Sequence, residues 1–301
     1  MAIIEIVNLT KDYGNNRGVF ELNLSVEKGE MIGFVGTNGA GKTTTIRTIM
    51  GFLKPDKGQV RVNGLDCWKN ASEIKENIGY VPGEIAFPDL GLGTVFLKSQ
   101  AEFLNMVDMS YANELIEKLQ LDPTANLKRM SKGMKQKTAI VAAFMADKNI
   151  IILDEPTTGL DPLMRIAFMD IIKRERAKGK TILMSSHMFE ELENTCDRVA
   201  LIQEGRIIDI ADMNKIRNRQ SREFKIEFIN QDDYEKFKLL NYEVIRDHMR
   251  YSQVTISIKK NEIDSLFKNL VNFDVKFVSE IKYTLETYFR EIFKTEREKS
   301  I

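Results

Sequence analysis

The sequence predicts an α/β fold with a covered, largely parallel sheet, followed by a smaller α+β domain. Short apolar segments alternate with segments of helical period along the first two thirds of the chain. This alternation is typical of a parallel sheet that carries helices on its faces. Beyond about residue 214 the sequence pattern changes, and the predicted strands and helices become shorter. The predicted domains are therefore residues 1–214 and residues 215–301.

The predicted elements of the first domain follow the chain in order. Short strands and turns occupy the first 30 residues, and a compact apolar strand covers residues 31–35. A glycine-rich loop then leads into a helix over residues 43–50, and a strand over 59–62 ends at a turn. Helical period extends over residues 94–121 and 131–146. Buried-type strands at 149–153, 181–185 and 199–202, with a helix over 166–177, complete the domain.

The second domain is predicted as a strand at residues 223–229, a helix at 232–240 and a hairpin over 242–258. A helix at 261–270, a strand at 273–278 and an amphipathic helix at 285–293 follow. The basic segment 215–222 joins the domains and is interpreted as a linker or a solvated helix end.

Composition excludes several classes of protein. Lysine plus arginine equals aspartate plus glutamate at 44 each, so the chain lacks the net basic surface of a nucleic-acid coat, and no nucleic acid is expected as a partner. With two cysteines and two histidines, a zinc site or disulfide scaffold is not expected, which favours a reducing cytoplasm. No apolar stretch reaches the roughly 20 residues of a membrane span, and no signal peptide is expected.

The most specific motif stands between the predicted strand at 31–35 and the helix that follows. It matches the pattern GxxxxGK[ST], and Thr44 comes directly after it. Its glycines let successive backbone N–H groups point at phosphate oxygens. Lys42 would reach the β- and γ-phosphates and Thr43 would bind magnesium, Mg²⁺, through its hydroxyl. The motif consists of Gly36, Thr37, Asn38, Gly39, Ala40, Gly41, Lys42 and Thr43.

A second half of the site follows the apolar strand at 149–153. Asp154 and Glu155 stand at its carboxyl end, where ligands bind in open α/β sheets. Asp154 would hold magnesium, directly or through water, and Glu155 would polarise the attacking water. Successive strand residues face opposite ways, so the two carboxylates can have different roles. Ser131 is a good N-cap for the helix after it; that helix start can receive a phosphate, or the serine can simply be a cap.

These pieces together resemble the ATP-binding subunit of an ABC transporter over roughly residues 1–214. The segment 130–134, with Ser131 and Gly133, stands where that family carries its signature, in a form similar to drug-efflux and lantibiotic-type subunits. Thr158-Gly159-Leu160-Asp161 looks like the family's D-loop, and Asp161 would contribute to nucleotide binding. His187 stands at the position of the switch histidine at the γ-phosphate. Tyr13 stands where an aromatic residue stacks on adenine, although it can also be an ordinary turn tyrosine.

One departure from the family concerns the segment after the predicted strand at 78–81. The family usually has a glutamine there, which meets magnesium and couples to the membrane partner. This chain has Gly83 at that position and Glu84 beside it. Glu84 can substitute, water can substitute, or coupling can run differently, and the sequence leaves these alternatives open.

The resemblance implies a P-loop NTPase cassette with a helical insert at about residues 85–147, and ATP hydrolysis with Glu155 and His187 as catalytic residues. It implies that two cassettes, in a homodimer or a heterodimer, sandwich two ATP molecules and drive an integral membrane permease, which favours export. The expected location is cytoplasmic, at the inner face of the membrane. The alternative function is an ABC-type ATPase acting on nucleic acid or ribosomes. Only about 88 residues separate Lys42 from Ser131, too few for the coiled coil of the DNA-repair relatives.

Overall fold

The computed structural model describes residues 2–299, with side chains through residue 293, in two compact units that meet between Asp212 and Met213. The predicted boundary at residue 214 lies two positions further along the chain, inside a short helix. The strands of the first unit are β1 (Ala2–Asp12), β2 (Gly18–Glu27), β3 (Met31–Val35), β4 (Lys57–Val62), β5 (Leu65–Asp66), β6 (Ile78–Val81), β7 (Ile150–Asp154), β8 (Thr181–Ser186), β9 (Arg198–Gln203) and β10 (Arg206–Asp212). Its helices are α1 (Lys42–Ile49), α2 (Ala71–Glu76), α3 (Gly93–Phe103), α4 (Ser110–Lys118), α5 (Lys132–Phe144), α6 (Pro162–Ala177) and α7 (Phe189–Glu193).

The central sheet of the first unit has six strands in the order β10-β9-β3-β8-β7-β6. All of its neighbouring strands are parallel except β9 and β10, which form an antiparallel hairpin. β3, β7 and β8 are buried along their whole length, because helices cover both faces of such a sheet. The carboxyl ends of β3, β6, β7 and β8 therefore meet at one edge, and the prediction of a covered α/β fold is confirmed.

A second sheet, ordered β2-β1-β4-β5, packs its apolar residues into the same core. The first 30 residues form two long strands of 11 and 10 residues, not the short strands that the sequence suggested. Register shifts let β1 and β2 bend while they stay paired, and Asn8 and Glu21 adopt left-handed backbone conformations there. This explains why the alternation along these strands is interrupted.

The insert between β6 and β7 contains α3, α4 and α5. The helical period over residues 94–121 is divided between α3 and α4, because Asn105 adopts a left-handed conformation with a φ of 53° after the first helix. The Asp108 carboxylate then accepts a hydrogen bond from the Ser110 backbone N–H at 2.7 Å, at the start of α4. Ser131 is the N-cap of α5 and accepts a hydrogen bond from the Met134 backbone N–H at 3.2 Å.

The second unit contains α8 (Met213–Arg217), β11 (Ser221–Phe228), α9 (Gln231–Lys238), β12 (Glu243–His248), β13 (Gln253–Lys259), α10 (Ile263–Leu270), β14 (Val275–Ile281) and α11 (Leu285–Lys299). Its four strands form an antiparallel sheet in the order β12-β13-β11-β14. Alternate residues of β11 pack with residues of α9 and α10 into a core of their own. The element types thus follow the α+β pattern of the predicted accessory domain.

Candidate functional site

The glycine-rich loop at residues 36–43 joins β3 to α1 and forms one wall of an open cleft of about 610 Å³. Gly39 and Gly41 have φ angles of 82° and 110°, which L side chains rarely adopt. At Gly36 a Cβ atom would lie 2.3 Å from the Ile202 carbonyl oxygen, so glycine permits the close approach to β9. The predicted loop residues that line the cleft are Thr37, Asn38, Gly39, Ala40, Gly41, Lys42, Thr43 and Thr44.

The Lys42 side chain is buried beneath this loop. Its ammonium donates hydrogen bonds to the Gly36 carbonyl at 2.6 Å and the Thr37 carbonyl at 3.2 Å. It also lies 3.3 Å from Oε1 of Glu155, which likewise lines the cleft. The cation that the motif supplies for phosphate is thus held at the base of the cleft between neutral carbonyls and one carboxylate.

Asp154 ends β7 with a fully buried side chain. The Ser185 hydroxyl on the neighbouring strand donates a hydrogen bond to its Oδ1 at 2.7 Å. The same hydroxyl accepts a hydrogen bond from the Glu155 backbone N–H at 2.9 Å, which ties the end of β7 to β8. The Asp154 Oδ2 atom has no hydrogen-bond partner among the described residues, although burying an unpaired carboxylate oxygen is costly. Such an orphaned acceptor indicates a ligand position.

Gly83 lies directly beside this orphaned oxygen. A Cβ atom on Gly83 would lie 3.1 Å from Asp154 Oδ2, closer than most real contacts of that kind. The neighbouring Glu84 is 92% exposed and lies 3.7 Å from the Arg47 guanidinium. Because residue 83 is a glycine and not the family's usual glutamine, the Asp154 carboxylate lies next to the backbone of this residue.

The Glu155 carboxylate is contacted by both Lys42 and His187. Its backbone is left-handed, with a φ of 49°, and such a conformation in a non-glycine residue costs energy that the surroundings must supply. His187 Nδ1 lies 3.0 Å from its Oε2 and Lys42 lies beside its Oε1. Burial raises the pKa of Glu155, but the His187 hydrogen bond and the Lys42 charge outweigh it and hold the pKa below its ordinary value. The carboxylate is therefore ionised at neutral pH.

Tyr13 lines the far end of the cleft and is 54% exposed, with its ring accessible. It begins a tight turn in which its backbone N–H donates to the Arg17 carbonyl at 2.8 Å. Other cleft residues come from this turn and from the β9–β10 turn, and sequence reasoning missed them because neither turn carries a recognisable motif. They are Asn16, Arg17, Gly18, Gln203 and Glu204.

Three predicted nucleotide-binding residues lie elsewhere. Among the described residues that line the cleft, Ser131, Gly133 and Asp161 do not occur. Ser131 is exposed and caps α5, and Asp161 is exposed and caps α6 by accepting a hydrogen bond from the Met164 backbone N–H at 3.0 Å. At Gly133 a Cβ atom would lie 2.7 Å from the Gly159 carbonyl oxygen, so the start of α5 packs tightly against the loop before α6.

The fold and its loop define a P-loop nucleotide-binding cassette, and comparison with known proteins identifies the family. A family model described as ABC transporter matches residues 19–158. The bacitracin transport ATP-binding protein BcrA of Bacillus licheniformis is 33% identical, and the match covers 96% of each chain. The linearmycin resistance ATP-binding protein LnrL of Bacillus subtilis is 34% identical over 72% of this chain and 71% of its own. A solved ATP-binding subunit of an ABC transporter, 29% identical, matches with a TM-score of 0.65 and covers 72% of this chain and 92% of its own.

The chain belongs to the ABC transporter ATP-binding proteins. It binds and hydrolyses ATP and powers a separate membrane permease, as the sequence predicted. The alternative of an ATPase acting on nucleic acid or ribosomes is not favoured by these relatives. Within residues 2–299, no helix is long and apolar enough to cross a membrane.

Proposed function

We propose that this chain drives export through a drug-efflux type of permease, with Glu155 as the base that activates water. The names of the two relatives, one for bacitracin transport and one for linearmycin resistance, support export of a drug-like compound. The observation that carries the catalytic part is the continuous contact from Lys42 through Glu155 to His187 at the cleft.

Each residue would have a separate role in the in-line attack of water on the γ-phosphate. Phosphate oxygens would replace the carbonyls of Gly36 and Thr37 around the Lys42 ammonium, which neutralises charge in the transition state. As the ammonium turns to phosphate, Oε1 of Glu155 is released to accept a proton from water. His187 holds the other carboxylate oxygen and thereby fixes the direction of the base. Tyr13 would stack on adenine at the far end of the cleft.

The Thr43 hydroxyl and the Asp154 carboxylate are the proposed ligands of a magnesium ion, although only Thr43 is among the described residues that line the cleft. Magnesium is usually held by one or two carboxylates together with substrate phosphates and waters. The orphaned Oδ2 of Asp154 supplies such an oxygen, and Thr43 lines the cleft. Bound there, the ion would neutralise charge on the β- and γ-phosphates. Because Glu84 is exposed beside Arg47, a water next to Gly83 fits the place of the missing glutamine better than Glu84 does.

ATP would also join two cassettes. Ser131 caps an exposed helix start outside the cleft, and a phosphate of a second subunit's nucleotide would complete it. Gly133 supports the same surface by allowing α5 to pack against the loop of Gly159 and Asp161. Homodimers and heterodimers with a related cassette use the same chemistry.

A groove of about 340 Å³ on the first unit is proposed to receive the permease at the inner face of the membrane. Five aromatic side chains line it, and exposed apolar residues often mark a partner site. Phe87 contacts Phe96 with ring centroids 4.8 Å apart, and Phe103 is 79% exposed. Leu90, which follows Phe87 by three residues, does not occur among the described residues that line the groove. The aromatic residues that line it are Phe52, Tyr80, Phe87, Phe96 and Phe103.

The test of the catalytic assignment compares ATP binding with phosphate release in the purified chain. Glu155→Gln and His187→Ala should retain ATP binding and lose about 100-fold or more of turnover, because each removes part of the base. Glu190→Gln is the matched control, since Glu190 is an exposed acid on α7. Phosphate release at the wild-type rate in Glu155→Gln would remove the base assignment.

A further inference from the structure

Glu191, on α7, carries a buried carboxylate that takes no part in the chemistry proposed above. The residue is 7% exposed. Its Oε2 accepts hydrogen bonds from the Ser186 hydroxyl at 2.6 Å and from the Thr157 hydroxyl at 3.1 Å. Its Oε1 has no hydrogen-bond partner among the described residues. A buried acid with an unpaired oxygen destabilises a fold, so its presence needs another reason.

The two hydroxyls lie close in sequence to the proposed catalytic pair, one at the last residue of β8 and the other in the loop after β7. Ser186 directly precedes His187, and Thr157 follows Glu155 by two residues. The strands that lead into these loops, β7 and β8, are paired, and the last pair of their ladder joins Asp154 to Ser185. Beyond that pair the Glu191 carboxylate joins the end of β8 to the loop after β7 through one oxygen atom.

The Glu191 contacts lie next to the hydrogen bond between His187 and Glu155, on which the proposed hydrolysis depends. The bond between His187 Nδ1 and Glu155 Oε2 is formed across the same two loops, at 3.0 Å. Glu155 holds a left-handed backbone conformation, which persists only where the surrounding structure over-determines it. A misplacement of about 1 Å in a catalytic group can cost on the order of 100-fold in rate.

We propose that Glu191 is a positioning residue for ATP hydrolysis. It holds the Glu155 loop and the His187 loop at the spacing that their mutual hydrogen bond requires, and it touches neither nucleotide nor water itself. The inference rests on the proposed roles of Glu155 and His187.

The experiment compares Glu191→Ala, which removes the acceptor, with Glu191→Gln, which keeps one oxygen for both hydroxyls. Glu190→Ala, on the exposed side of the same helix, is the matched control. Steady-state phosphate release at saturating ATP, nucleotide Kd and melting temperature are measured on the full chain. Glu191→Ala should lose about tenfold or more in kcat with Kd changed less than about threefold, and Glu191→Gln should recover most of that loss.

The hydroxyl partners give a second measurement in case Glu191→Ala fails to fold. Thr157→Val and Ser186→Ala should each lower kcat several-fold, and combining the two changes should cost less than the sum, because loss of either hydroxyl already breaks the connection through one oxygen. A folded Glu191→Ala with wild-type kcat, a Glu191→Gln as slow as Glu191→Ala, or additive hydroxyl variants would each overturn the proposal. A wild-type rate in Glu155→Gln would instead overturn the base assignment, so the two failures are distinguishable.

Discussion

The ammonium of Lys42 lies 3.3 Å from the Glu155 carboxylate in the nucleotide cleft. Lys42 is almost fully buried and the Glu155 side chain is 22% exposed, so solvent screens this pair less than it screens a surface pair. The lysine that must bind phosphate is therefore already engaged by the residue proposed as the base. ATP has to compete with Glu155 for this cation before hydrolysis begins.

The first prediction is that Glu155→Gln binds ATP more tightly than the wild type. The substitution releases Lys42 and removes a negative charge that faces the triphosphate, which should lower Kd by about 3- to 10-fold at low salt. Equilibrium binding of a fluorescent ATP analogue measures the change. The effect should shrink at high salt, and Glu190→Gln should leave Kd unchanged. Equal or weaker binding by Glu155→Gln would show that the ion pair does not limit affinity.

The second prediction concerns the ATP-dependent dimer. Glu155→Gln should be monomeric without nucleotide and dimeric with ATP and magnesium, because slow hydrolysis leaves the closed pair populated. Adding Ser131→Ala should prevent the dimer, and it should also cost about 1 kcal/mol of stability through loss of the α5 cap. Sedimentation velocity at tens of micromolar distinguishes the two species. Ser110→Ala, at the start of α4, is the control, and a dimer that survives Ser131→Ala would argue against the sandwich.

The third prediction places permease docking at the aromatic groove. Phe103→Glu should abolish association with the permease while ATP turnover of the isolated subunit survives, because the ring is 79% exposed and its loss costs the fold little. Val107→Glu is a matched control, since Val107 is fully exposed on the same insert. Membrane co-sedimentation measured beside phosphate release separates the activities. If Phe103→Glu and Val107→Glu both associate normally, the docking surface lies elsewhere.

The fourth prediction is that Gly133→Ala destabilises the cassette without weakening ATP binding to the monomer. The new Cβ would lie 2.7 Å from the Gly159 carbonyl oxygen, and backbone can yield only by moving the loop before α6. Overpacking of this kind costs about 1–3 kcal/mol. Denaturant unfolding and nucleotide Kd are measured, with Lys135→Ala on the same helix as the control. Unchanged stability in Gly133→Ala would mean that the two segments separate easily.

The fifth prediction links stability to pH through Glu175 on α6. Its side chain is fully buried, pairs with Lys178 and Lys180, and accepts a hydrogen bond from the Tyr111 hydroxyl on α4 at 2.6 Å. Burial raises the pKa of Glu175, but the hydrogen bonds from Lys180, Tyr111 and Lys178 outweigh it and lower the pKa below its ordinary value. The resulting stability is present above the unfolded pKa and is lost as pH falls through the folded pKa.

Glu175→Gln should therefore lower the free energy of unfolding by roughly 3 kcal/mol at neutral pH, since it leaves a buried lysine under-compensated. The difference from the wild type should shrink as the pH is lowered through the acidic range. Unfolding curves collected from neutral to acidic pH test this. Glu114→Gln, whose partner Arg174 is partly exposed, should cost less than about 1 kcal/mol. A difference that stays constant with pH would contradict the ionised pair.

The sequence by itself predicted the parts of this protein that are encoded locally. Glycines at 36, 39 and 41, followed by Lys42 and Thr43, determine a phosphate loop wherever a strand leads into a helix, because backbone geometry and residue type act within eight positions. The acids at 154 and 155 could be assigned to the same edge of the sheet because the carboxyl ends of parallel strands meet there. ATP binding and the α/β fold followed from these local signals, and both are confirmed.

Only the tertiary structure determined which residues from other parts of the chain lie beside the phosphate loop and the two acids. Arg17 and Glu204 reach the cleft from two turns, and Gly133 packs against Gly159 where two helices begin. Glu191 accepts hydrogen bonds from hydroxyls at the end of β8 and in the loop after β7. None of these contacts has a fixed spacing in sequence. Glu204, for example, reaches the loop because β9 lies beside β3 in the sheet although the two strands are far apart in sequence, and strand order is set by packing of the whole sheet, not by any segment of the chain.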